Sequence, residues 1–265
     1  MNDHYVVPER GARFVKRCLS MTCCIGLVAA FSVQAQEAEK IEPQAVAALE
    51  KMAAYFRVLK TFQVAVETTD EDVLEDGQKI QYASHFDVLV QFPNKARVDK
   101  SNDYVDRLTL YDGETFTLFA KRLNFYSTVP APASIAELVS LLESKFDYRV
   151  PLANLVHWAE PGWEPTGITG AMDLGPSVVS GVTCQHYAFR QANIDWQIWI
   201  QKGDFPLPRK IVITTLTDDA RPQHTASYKW NLAPSFSEDS FKMNPNTDAS
   251  RVVLMDLSQL GNSDN

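Results

Sequence analysis

The 265-residue sequence is poor in cysteine: three of its four, Cys18, Cys23 and Cys24, fall within the first 35 residues. Beyond them only Cys184 remains, so no internal disulfide can form there and stability must come from a packed core. Long apolar runs are also missing. Met21–Val33 (MTCCIGLVAAFSV) spans 13 residues, short of the roughly 20 that a membrane-spanning helix needs. Positive charge is in deficit, with 25 Lys and Arg against 33 Asp and Glu. That balance argues against nucleic acid, which rewards clustered cations, and against electrostatic docking on anionic lipid. Catalytic signatures are absent as well. There is no Gly-x-Ser-x-Gly elbow, no His-Glu-x-x-His pair and no glycine-rich phosphate loop.

What is present begins with a leader. Arg10, Arg13, Lys16 and Arg17 precede the apolar run, and Val33-Gln34-Ala35 places small residues at the minus-three and minus-one positions. This is the pattern of a secretory signal, residues 1–35, cleaved after Ala35; the alternative is an uncleaved N-terminal anchor. No cysteine directly follows the apolar run, so no lipid attachment is expected. Without the leader the chain keeps 21 basic and 31 acidic residues, a net charge of −10. The remaining length of about 230 residues suits one domain, 36–257, followed by a loose polar tail, 258–265.

Hydrophobic periodicity predicts a helix over Pro43–Lys60, with Pro43 at its first position and Leu49, Met52, Phe56 and Leu59 on one stripe. Alternating patterns then predict strands over 62–67, 80–92, 95–100, 104–111, 114–120 and 124–129. Asp112-Gly113 is read as a hairpin turn, and Pro93-Asn94 as a break. Ser134-Ile-Ala-Glu137 is a capping box, opening a helix with Ile135, Leu138, Val139, Leu142 and Phe146 on its apolar face. Pro151 opens a further short helix. Strands resume over 173–180, 183–190, 194–201, 209–217 and 223–232. An Ala192-Asn193 turn would set Arg190 opposite Asp195 and put Tyr187 and Phe189 beside Trp196 and Ile198. About eleven strands joined by short turns imply one large antiparallel sheet that must curl, leaving a concave apolar face for the helices to cover.

The chemistry-bearing residues are scattered. The acidic run Asp70–Gly77 has Leu74 and Glu75 where a calcium loop needs a ligand and a glycine, so it reads as a solvated hairpin tip. His85, His157, His186 and His224 occur singly, without metal spacing; convergence of Cys184, His186 and His85 on a metal is the less favoured alternative. Glu67 and Asp87 are the carboxylates that a hydrolase would pair. Cys184 in a strand reads as a buried small hydrophobe rather than a nucleophile. No catalytic residue, metal or cofactor is assigned.

Several short motifs carry a resemblance. Leu59-Lys-Thr-Phe62, Phe92-Pro-Asn-Lys-Ala-Arg97, Tyr111-Asp-Gly-Glu-Thr-Phe-Thr-Leu-Phe119, the helical insertion and Phe241-Lys-Met-Asn-Pro245 follow in an order similar to the LolA-type lipoprotein-carrier superfamily. A closer likeness is to a family of predicted periplasmic proteins within it. That likeness rests on Tyr111-Asp-Gly113, Tyr126-Ser-Thr-Val-Pro-Ala-Pro132, Asp195-Trp-Gln-Ile-Trp-Ile200 and Leu207-Pro-Arg-Lys210. The carriers place an Arg before the Pro-Asn as a lid latch; here Phe92 stands in that position, with Arg97 five residues on. The resemblance implies a mainly β (α+β) fold: a curved, unclosed antiparallel β-barrel with a helical lid over an apolar cavity.

The expected function is that of a periplasmic binding or carrier protein holding an apolar ligand, a lipid acyl chain or lipoprotein-like, in the concave face of the sheet. Its partners would be an apolar small molecule or lipid, and a membrane-associated protein, with no nucleic acid. The expected lining is Phe86, Val88, Leu110, Phe116, Leu118, Leu138, Leu142, Tyr187, Trp196, Ile198 and Trp230. Two alternatives stand beside it. One is a sensor or protein-interaction module whose core is filled; the other is an acyl hydrolase using Cys184 or His186.

Overall fold

Leu49, Met52 and Phe56 are the buried stripe of helix α1 (Pro43–Val58) in the computed structural model, which describes residues 40–146, 153–243 and 248–253. The leader and the polar tail lie outside the described residues. Six strands follow α1: β1 (Thr61–Val73), β2 (Lys79–Gln91), β3 (Lys95–Ser101), β4 (Asp106–Tyr111), β5 (Thr115–Ala120) and β6 (Phe125–Pro130). Helices α2 (Ile135–Phe146) and α3 (Ala153–Ala159) interrupt them. Next come β7 (Gly170–Val179), β8 (Val182–Gln191), β9 (Ile194–Gln201), β10 (Pro208–Thr215) and β11 (Gln223–Asn231), and finally the two-residue β12 (Ser250–Arg251).

These strands form one sheet in the order β12-β6-β5-β4-β3-β2-β1-β11-β10-β9-β8-β7. Its end strands, β7 and β12, do not pair with each other, so the sheet stays open. Every neighbouring pair is antiparallel except β12 with β6. The eleven expected strands are all present. The twelfth was invisible to alternation because two residues give no period; β12 pairs in parallel with β6, Ser250 opposite Phe125 and Arg251 opposite Tyr126.

One expectation needs correction. The hairpin turn does fall at the end of the acidic run, with Gly77 at a φ of +84°, but β1 continues through Val73, so the first residues of the run belong to the strand and not to the tip. Asp70 and Glu71 stay in the ladder because each finds partners. Asp70 Oδ1 lies 2.6 Å from His224 Nδ1, and Glu71 Oε2 accepts from Lys79 Nζ at 3.1 Å and from Gln223 N at 3.0 Å.

The β4–β5 turn shows how sequence sets register. Asp112 Oδ1 accepts from Glu114 N at 3.0 Å and Thr115 N at 2.8 Å, closing an Asx-type loop. Gly113 has a φ of +100°, and a Cβ there would lie 2.7 Å from Asn94 Nδ2 of the neighbouring turn. Gly113→Ala is therefore expected to destabilise by roughly 1–3 kcal/mol, read as a lower urea midpoint with unchanged slope.

Candidate functional site: the concave face and its cover

Register places two apolar rows across the concave face. The first runs Phe62, Val90, Ala96, Tyr111, Phe116, Val129; the second runs Val64, Val88, Val98, Thr109, Leu118, Ser127. Helix α2 lies over them. Ser134 Oγ caps it by accepting from Glu137 N at 3.3 Å, and Ile135 N donates to Pro93 O at 2.9 Å, tying the helix start to the β2–β3 turn. Its buried side chains are Ile135, Leu138, Val139 and Leu142.

Between sheet and helices lies a cavity of about 70 Å³, walled by the first row from Phe62 to Phe116, by Val88, Val98 and Thr109 of the second, by that face of α2 and by Leu155 and Val156 of α3. The wall is apolar almost throughout. Tyr111 contributes its ring, while its hydroxyl donates away to Pro132 O at 2.5 Å. Burial pushes that hydroxyl's pKa up, so it stays neutral and adds no charge. The volume is well below the roughly 300–1,000 Å³ of pockets that hold drug-sized ligands. A long chain therefore fits only if α2 and α3 give way.

The other half of the concavity is filled. Helix α1 packs against β7 and α3. Its Phe56 ring stands 5.7 Å from Trp158, 5.5 Å from Trp230 and 6.5 Å from Phe62. Trp230 Nε1 donates to Pro208 O at 2.7 Å, which satisfies the one polar atom of a largely sheltered indole. Tyr228 is buried here too, and desolvation pushes its hydroxyl up to about 12.

The expected lining residues divide among these regions. Val88, Phe116, Leu138 and Leu142 wall the cavity. Leu118 belongs to the second row, half-buried, and Phe86 lies one row further along β2. Tyr187, Ile198 and Trp196 lie on the far side, on β8 and β9, and Trp230 lies on β11 against α1. The β8–β9 hairpin has the expected register: Arg190 faces Asp195, donating at 2.6 Å and 2.8 Å, and Phe189 stacks on Trp196 at 4.4 Å.

Leu110 faces the opposite side. Its antiparallel partner is Thr117, not Phe116, so it joins Leu89 and Arg97 on the convex surface. There a 3-10 turn at Glu238–Phe241 packs on β3, with Arg97 Nη1 donating to Ser240 O at 3.4 Å. Arg97 is thus directed away from the helices and cannot latch them, whereas Phe92 lines the cavity.

Cavity residues that sequence reasoning passed over include Val90, Val98, Tyr111 and Val139. The signal existed. Alternation carried from Val88 through the Pro93-Asn94 turn reaches Val98, and carried on through the β3–β4 connection it reaches Thr109.

The hydrolase and metal alternatives find little in the geometry. His85 on β2 sits five strands from Cys184 on β8. Cys184 is fully buried, its Sγ donating to Val182 O at 3.4 Å, and burial pushes the thiol pKa up, away from a reactive thiolate. His186 stacks on Trp199 at 3.9 Å and shares a 3.0 Å hydrogen bond with Gln197. Glu67 is 2.7 Å from His85, and Asp87 accepts from Gln63 at 2.9 Å and 3.1 Å. Both carboxylates lie on the convex face. Among the described residues no three or more His, Cys, Asp or Glu cluster as metal ligands.

Comparison with solved structures finds low-identity likenesses. The Mycobacterium tuberculosis lipoprotein LppX is 14% identical, with 73% of this chain and 98% of that chain covered at a TM-score of 0.43. LprF from Mycobacterium bovis is 11% identical, covering 74% and 96% at 0.39. The LolA superfamily protein NE2245 from Nitrosomonas europaea is 11% identical, covering 75% and 97% at 0.36. No curated protein matches the sequence. No helix among the described residues is long and apolar enough to cross a membrane. A family model spans residues 45–255, from the buried face of α1 past β12, and by that match the chain belongs to the DUF2092 family of predicted periplasmic proteins.

Proposed function

We propose that the protein is a periplasmic binding or carrier protein that holds an acyl chain, or another apolar ligand, between the concave sheet and helices α2 and α3. The observation that supports this most directly is the cavity wall. Aliphatic and aromatic side chains from five consecutive strands, β1 to β5, converge on a gap that α2 and α3 cover but do not fill. Apolar surface gains roughly 25 cal/mol per Å² on leaving water, so one long chain supplies useful affinity without any polar contact. Entry requires α2 and α3 to swing from the sheet, exchanging their own apolar contacts for those of the ligand.

Native mass spectrometry of the purified protein tests the reading. A lipid-sized adduct is expected to survive gentle desolvation, and fatty acyl ligands are expected to displace a hydrophobic dye. Absence of both would leave the second reading, a sensor or protein-interaction module with a filled core. The small cavity volume favours that reading.

A further inference from the structure

One end of the sheet carries apolar side chains in water. Neighbouring strands run antiparallel, so the β3–β4 connection (102–105) and the β5–β6 connection (121–124) lie at the same end. The β2–β3 turn, which anchors the start of α2, lies at the other. At the end away from α2, Tyr104 is 72% exposed, Leu123 68% and Phe125 43%. Phe125 lies opposite Ala120, in the row that follows Leu118 and Ser127 on the concave face, so this patch borders the concavity.

The two connections are tied into one platform. Asn102 Oδ1 accepts from Tyr104 N at 2.9 Å and from Val105 N at 2.6 Å, and Asn102 Nδ2 donates to Ser84 Oγ at 3.0 Å. The Tyr104 ring meets Tyr82 edge-on at 5.9 Å. Arg122 links the second connection to the first, its guanidinium donating to Asn102 O at 2.8 Å and to Asp103 O. Both acceptors are neutral carbonyls, so Arg122 brings a positive charge to the rim. Ordering residues costs entropy, and ordering them with their apolar side chains in water recovers little of it. A contiguous apolar patch held in this way marks a contact surface.

Area and charge point to the occupant. A large apolar side chain carries roughly 150–250 Å² of surface, so these three leave on the order of 350 Å² in water. A specific protein interface takes about 800 Å² from each partner, which the patch does not supply. A bilayer surface asks for less: a few aromatic and aliphatic side chains below the head groups, and a cation at the level of the phosphates. We propose that Tyr104, Leu123 and Phe125 insert shallowly into a lipid bilayer surface, with Arg122 meeting the lipid phosphates. The net charge of −8 makes general electrostatic attraction a poor anchor, so apolar insertion carries the contact and the arginine fork orients it. The inference goes beyond the carrier reading and does not depend on it.

Flotation of the purified protein with phosphatidylcholine vesicles tests this. The protein should rise with the vesicles, and added salt should not release it, because apolar contact is not screened. The double variant Tyr104→Ser, Leu123→Ser should lower the partition coefficient at least tenfold. Both side chains are exposed, so its melting temperature should not fall. Leu123→Trp should bind at least as tightly as the unmodified protein. Val58→Ser is the control: Val58 is 69% exposed but ends α1 beside the start of β1, at the opposite end of the sheet, and its loss should leave flotation unchanged. No flotation by the unmodified protein, or flotation that the double variant keeps, overturns the membrane contact. So does a dimer in solution that the double variant dissolves, since a second copy would then cover the patch. Dye displacement by fatty acyl ligands without vesicles tests the carrier reading separately. A double variant that no longer floats but still takes up these ligands supports the membrane contact, and flotation without any uptake removes the carrier reading alone.

Discussion

Phe56→Ala is expected to destabilise the protein by about 3–5 kcal/mol, the range for emptying a core site of an aromatic ring. The ring is fully buried and stands where α1, α3, β1 and β11 meet, against Phe62, Trp158 and Trp230. No neighbour can collapse into the gap easily, because Trp230 is pinned by its bond to Pro208 O and Phe62 by its place in a central strand. Domains are stable by only about 5–15 kcal/mol, so roughly a fifth of the total or more would go. Urea unfolding followed by tryptophan fluorescence would show it as a large fall in midpoint. A change below about 1 kcal/mol would mean that α1 is not docked on the sheet in solution.

The second large effect concerns uptake. Val139 faces the cavity from the middle of α2 and is buried. In Val139→Trp an indole would occupy the gap that a ligand needs. Overpacking costs about 1–3 kcal/mol, which the fold can bear. Acyl-ligand affinity should fall at least tenfold, roughly the loss from denying one or two methylenes' worth of buried surface. Phe119→Ala is the control. Phe119 pairs with Leu108 and Tyr126 on the convex side, so uptake should not change. Unimpaired uptake in Val139→Trp would place the ligand somewhere other than beneath α2.

The strands were legible in the sequence because each turn carries its own chemistry and each strand has a period. Asp112-Gly113 marks a turn, and Arg190 with Asp195 marks a register. The site was less legible for two reasons. Face assignment has to be carried strand by strand: Leu110 lies opposite Thr117 and so faces the convex side, where its burial makes it look like any core residue. Periodicity also tells which residues are buried, not what buries them. Tyr187, Ile198 and Trp230 belong to the same apolar face as Val88 and Phe116. Only the path of α1 decides that the first three are packed and the last two border a gap.

The sheet order carries a consequence for how the chain reaches this state. Strands β1 to β6 and β7 to β11 are two runs of hairpins, each built from contacts between neighbours in sequence. They join along one seam, β1 with β11, where Gln63 lies opposite Asn231 and Asp70 opposite His224. Local hairpins form early, and a pairing this distant forms late. For a chain that emerges into the periplasm from its N-terminus, β1 arrives near the beginning and its partner near the end. Until then Phe62, Val64 and Val66 lie along an unpaired edge. That interval is when a second copy could pair there instead, and it is when a periplasmic chaperone would matter most.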